Sequence, residues 1–147
     1  MLAITNVVLY TMETAPQRGI VLVDGHGKIT AVGDIAIPDS AEIIDGQGGI
    51  LMPGMIDAHG HAGLAEEGVG WEGEDVNEAV DPTTPSLRAI DGINPEEEGI
   101  KEALAAGVTI MCVVPGSANV IGGEGVVIHM HGRTVDEMVV KSSGGLK

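Results

Sequence analysis

The residues with the clearest chemical potential lie together in Pro53-Gly54-Met55-Ile56-Asp57-Ala58-His59-Gly60-His61. An extended backbone alternates its side chains between two faces, so His59 and His61 point the same way with Gly60 between them. Two neutral imidazoles side by side at a strand end form half of a zinc-type site, because imidazole nitrogen suits Zn²⁺ and its neighbours. Asp57 falls two residues earlier on the same face, where a carboxylate can fix a ligand imidazole through its second N–H. A second pair, His129 and His131 in His129-Met130-His131, repeats the spacing. It leaves two readings: four imidazoles converging on one cation, or exposed strand histidines without a metal.

Positioning these groups requires a scaffold, and the chain changes character near residue 50. Before that point the pattern is all β. Residues 2–12 read as a first strand. Gly19-Ile20-Val21-Leu22-Val23 and Ile29-Thr30-Ala31-Val32-Gly33 read as a hairpin around the turn Asp24-Gly25-His26-Gly27-Lys28, and a short strand is expected at residues 42–45. From Ile50 a strand is expected through Ala58, with the histidines at its end. A helix is expected to open at Asn94-Pro95-Glu96-Glu97-Glu98, with Asn94 as cap, Pro95 at the first helical position and carboxylates at the positive end of the dipole. Its apolar stripe is Ile100, Ala103, Leu104 and Ala106, and Gly107 ends it. Residues 108–114 are continuously apolar, as in a parallel strand covered on both faces. A Gly-rich loop follows, in which Asn119, Gly122 and Gly123 are candidate pocket residues. It lacks both phosphate-cradling glycine patterns. Residues 126–131 read as another strand and residues 135–141 as its partner or a short helix, with no closing element expected after Gly144.

The H-x-H strand resembles the first barrel strand of the metal-dependent amidohydrolase superfamily. The segment from Asp81-Pro82-Thr83-Thr84-Pro85 through Arg88-Ala89-Ile90-Asp91-Gly92-Ile93-Asn94-Pro95, Gly107-Val108-Thr109 and Pro115-Gly116-Ser117-Ala118-Asn119-Val120-Ile121-Gly122-Gly123 is similar to its imidazolonepropionase-related branch. The resemblance implies an α/β fold: a β-sandwich piece over residues 1–50, followed over residues 51–147 by the first βα units of an incomplete TIM-type (β/α)8 barrel. It implies hydrolysis of an amide or cyclic amide C–N bond by metal-activated water, a divalent cation (zinc on ligand type) held by His59 and His61, and Asp57 behind them. In the resembling enzymes later strands add a bridging carboxylate or carboxylated lysine, further histidines and an aspartate that handles the proton. Nothing here matches those groups by motif, and neither Lys141 nor Lys147 is assigned a role. The family's second ligand cluster lies further along than this chain, which disfavours His129 and His131.

Length sharpens the expectation, since a full barrel takes about 250 residues and the chain has 147. Three readings follow. One is the N-terminal portion of an amidohydrolase, inactive by itself. Another is a non-catalytic binding or assembly module, completed as a homo-oligomer or by a complementing C-terminal half. A truncated product without a stable fold is a third.

Composition excludes several classes. With 22 acidic against 7 basic residues the net charge is −15, a field that repels nucleic acid and anionic lipid. Part of the excess sits in residues 66–78, read as a solvated acidic loop or a cover over the site. Cys112 is the only cysteine, so no intrachain disulfide forms, and its apolar surroundings point to an inert thiol. Without a basic segment ahead of an apolar one, and without 18 consecutive apolar residues, a cytoplasmic protein is expected. With no Phe, one Trp and one Tyr, the core must be aliphatic.

Overall fold

Runs rich in Val and Ile become strands in the computed structural model, which describes residues 1–147. The first unit, Met1–Pro53, contains β1 (Leu2–Leu9), β2 (Gln17–Val23), β3 (Ile29–Gly33), β4 (Glu42–Asp45) and β5 (Ile50–Leu51). They form one five-stranded sheet, ordered β3-β2-β1-β4 with β5 also on β1. The β2–β3 hairpin forms at the expected turn. Asp24 Oδ1 accepts the main-chain N–H groups of His26 and Lys28 at 2.8 and 2.9 Å, and Gly27 takes φ +75°, a conformation open to glycine without a Cβ clash. Val7, Leu9 and Val21 make a small core.

The strand expected from Ile50 to Ala58 is interrupted. Ile50 and Leu51 pair in parallel with Val8 and Leu9, whereas β6 starts at Met55. Pro53 has no N–H to give a ladder and Gly54 adds backbone freedom, so the ribbon breaks between them. That break divides the two units.

The second unit, Gly54–Lys147, holds β6 (Met55–Gly60), α1 (Glu98–Ala105), β7 (Val108–Val113), β8 (Glu124–His129), the single turn α2 (Val135–Met138) and β9 (Val139–Leu146). The sheet order is β6-β7-β8-β9. β6 and β7 are parallel with α1 between them in sequence, which is one βαβ unit. β8 and β9 then run antiparallel. The expectation of successive βα units therefore holds for one unit only. A parallel return needs a crossover of a dozen or more residues, usually helical, and residues 114–123 supply a short glycine-rich loop instead. The chain end is not open either: Leu146 pairs with Glu124.

The core of this unit is aliphatic, as the composition requires. Ile128, Met130, Met138, Val113 and Val126 are fully buried, each worth about 1.5–3 kcal/mol on transfer from water. Ile100 joins them from α1, while Leu104, expected on the same stripe, stays exposed. The helix also begins later than expected. Asn94 forms a turn instead, its Oδ1 accepting the Glu96 N–H at 3.0 Å. The Glu97 carboxylate is the cap, accepting from Gly99 and Ile100 at 2.7 and 3.2 Å. No helix is long and apolar enough to cross a membrane.

Candidate metal-binding site

His59 and His61 emerge where β6 ends, beside the end of its parallel neighbour β7. Gly60 pairs with Val113 there, and its missing side chain is required: a Cβ at Gly60 would collide with the Met111 sulfur. The two imidazoles stand edge to face, with ring centroids 5.6 Å apart and planes at 90°.

Each ring has a tertiary partner. His61 Nδ1 lies 2.7 Å from the Val114 carbonyl oxygen, 53 residues away in sequence. A carbonyl only accepts, so Nδ1 is the donor, and in the neutral ring this tautomer leaves the lone pair on Nε2, the arrangement a metal-ligating histidine needs. His59 Nε2 lies 2.9 Å from Lys147 Nζ. Lys147 is held there by its own backbone, its N–H donating to Gly123 O at 2.9 Å and its carbonyl accepting from Gly122 N at 2.7 Å.

Asp57 plays a different part from the one expected. Its Oδ1 accepts the main-chain N–H of His59 at 3.0 Å, so it braces the strand end rather than an imidazole. The carbonyl of Val114 does the work assigned to it, a partnership no local spacing encodes. Lys147 was the other missed neighbour, and only its position two residues past a glycine pair linked it to a strand end.

The second histidine pair lies elsewhere. His129 is level with Ile110, and Ile110 is level with Ile56 at the start of β6. Three residues of strand, about 10 Å, separate that level from His59, and His131 lies further along. Both rings are exposed on either side of buried Met130. The four imidazoles do not converge, and no set of three or more His, Cys, Asp or Glu side chains forms a metal cluster.

Of the candidate pocket residues Gly122 lines a cleft, about 270 Å³ in volume, together with Leu64, Asp75, Leu87, Arg88 and Pro115. Asn119 turns away to tie two loops, its Nδ2 donating to the carbonyls of Glu78 at 2.8 Å and Asp81 at 3.1 Å. Gly123 is structural: φ is +125° and a Cβ would strike Leu87 O. Within the cleft Arg88 is engaged by Asp91 through two bonds of 2.9 and 2.7 Å, which raises the arginine pKa and lowers that of the aspartate. Cys112 is half-buried, its thiol 3.5 Å from Gly144 O.

Comparison with known proteins identifies the family. The solved structure of an amidohydrolase from Thermotoga maritima superposes with a TM-score of 0.92 at 45% identity over 99% of the chain. The amidohydrolase tasK of Hapsidospora irregularis is 42% identical over 121 residues, 78% of the chain. The chain belongs to the amidohydrolase superfamily. An imidazolonepropionase of Idiomarina loihiensis is 35% identical over 82 residues. The chain spans 38% of the Thermotoga amidohydrolase, 12% of tasK and 18% of the imidazolonepropionase. No protein-family profile matches it.

Proposed function

We propose that this chain contributes part of the metal centre of an enzyme that hydrolyses amide or cyclic amide C–N bonds, with His59 and His61 as ligands to a divalent cation. Zinc leads on donor type, since both donors are imidazole nitrogens. The observation that carries this reading is the pose of His61, whose Nδ1 is committed to Val114 O and whose Nε2 is thereby left as a donor. Such a cation, when bound, supplies an activated water and charge for the oxyanion.

Two imidazoles fall short of the three or four protein ligands of a tight site. Lys147 is a further group at the site, its Nζ 2.9 Å from His59 Nε2. As an ammonium it donates to that nitrogen and repels a cation. As a carbamate it becomes an anionic oxygen ligand: the neutral amine forms an N–C bond to CO₂ and releases one proton. That conversion matches the carboxylated lysine of the resembling enzymes. The isolated chain is expected to bind a cation weakly and to turn over no amide.

Equilibrium dialysis with Zn²⁺ at neutral pH, with and without bicarbonate, tests the assignment. Binding lost in His59→Ala and in His61→Ala, and strengthened by bicarbonate in the parent but not in Lys147→Ala, is the expected result. Equal binding by all variants overturns it.

A second reading, a non-catalytic assembly module, draws on the edge position of β6 and on Ile56, 69% exposed upon it. Unpaired strand edges invite association. Light scattering that reports a concentration-dependent dimer, dispersed by Ile56→Lys, favours it.

A further inference from the structure

Glu97 is the only buried charged residue, 5% exposed, and no cation pairs with it. Its carboxylate instead collects four main-chain N–H groups. Oε1 accepts from Gly99 at 2.7 Å and from Glu67 at 3.3 Å. Oε2 accepts from Ile100 at 3.2 Å and from Gly63 at 3.4 Å. Two of these donors are the first turn of α1, ordinary for a helix cap. The other two belong to the turn that follows His61, some thirty residues earlier in sequence.

That turn is bound to His61 itself. The His61 carbonyl accepts from Leu64 at 2.9 Å and Ala65 at 3.2 Å. Gly63 is gripped from both sides: its N–H by Glu97, and its carbonyl by the N–H of Asn94 at 2.9 Å. It takes φ +81°, and an added Cβ would lie 2.8 Å from Ile93 Cγ2. The peptide of His61 thus rests on a turn anchored to α1, while its ring rests on Val114 at the end of β7.

We infer that Glu97 is a positioning residue for His61: its carboxylate locks the turn after the H-x-H strand to the start of α1 and so sets the pose of the His61 ring. The inference rests on the reading that His59 and His61 hold a cation, but it predicts a property of the ring that needs no metal.

Glu97→Asp separates this role from helix capping. Aspartate is a strong cap in its own right, yet it is one methylene shorter and cannot keep the long bonds to Gly63 and Glu67. The readouts are the ¹⁵N and Nδ1–H signals of the His61 ring by NMR, and a Co²⁺ titration followed by absorption. In Glu97→Asp the far-UV signal of the helix persists, the His61 Nδ1–H signal is lost to exchange, and Co²⁺ affinity falls about 10-fold or more, the scale of an outer-shell loss. Glu97→Gln, with one acceptor oxygen in place of two, gives an intermediate result and serves if the aspartate variant does not fold. Thr134→Ala removes the cap of α2, whose hydroxyl accepts the Glu137 N–H at 3.4 Å, and moves neither readout. An unchanged His61 signal in both Glu97 variants overturns the inference. A parent chain that binds no Co²⁺ overturns the metal reading instead, and the ring signal still decides the role of Glu97.

Discussion

The chain contains the same three-residue motif twice, and the two copies meet different fates. In His59-Gly60-His61 the spacer is a glycine pressed against Met111, and the flanking rings turn to a carbonyl and to a lysine. In His129-Met130-His131 the spacer is a core residue only 1% exposed. Burying the Met130 side chain on one face sends both imidazoles to the other, where no hydrogen bond holds either ring. What separates the two pairs in the structure is whether a group distant in sequence meets the rings: the Val114 carbonyl at His61 Nδ1 and Lys147 Nζ at His59 Nε2 in the first pair, and no such partner in the second.

Removing a ring from each pair tests this most severely. His61→Ala is expected to weaken Zn²⁺ binding by more than about 100-fold, beyond the 10–100-fold typical of an outer-shell loss. His131→Ala should leave it within about twofold in the same dialysis assay. Comparable losses at both sites would erase the distinction.

The spacers come next. Met130→Ala opens a core cavity and should cost about 2–5 kcal/mol in urea unfolding, with metal affinity retained under folding conditions. Gly60→Ala should cost about 1–3 kcal/mol through overpacking against Met111 and also weaken metal binding, since it displaces the strand that carries both rings. A Gly60→Ala chain that binds Zn²⁺ like the parent would show that the rings adjust independently of the spacer.

The smallest effect belongs to the surface beside His131. Glu137 is held below the usual carboxylate value of 4.5, first by the side chain of Arg133 and then by its N–H, with a lesser contribution from His131. A depressed acid pKa contributes stability above the unfolded value of about 4.5. That contribution is lost as pH falls through the lower folded value. Urea midpoints measured from neutral pH down through this range should show a small decline that is absent in Arg133→Ala. The ion pair is exposed, so the decline should also shrink in high salt.

Much of the scaffold was legible because its signals are local. The hairpin at Asp24-Gly25 requires glycine and an Asx carboxylate, and both are spelled out in five residues. The parallel pair β6 and β7 follows from an apolar strand, a helix and a second apolar strand in succession. The start of α1 was misplaced because Asn94-Pro95 carries every local mark of a cap. Only burial of Glu97 among four N–H groups, two of them contributed by residues 63 and 67, makes the later residue prevail. The reversal at β8 was missed for a related reason: an apolar strand looks the same in either direction, and direction is set by the loop and the neighbour it reaches.

The sequence by itself determined that His59 and His61 share a face at a strand end, that the core is aliphatic, and that the surface is strongly acidic. Each follows from backbone periodicity, composition or charge, which need no knowledge of distant residues. Tertiary structure alone decided that Val114 and not Asp57 orients His61, that Lys147 faces His59, and that the second histidine pair lies at the far end of the sheet. Those outcomes depend on which strand ends meet, and strand register is fixed by packing across the whole unit rather than by neighbours in the chain.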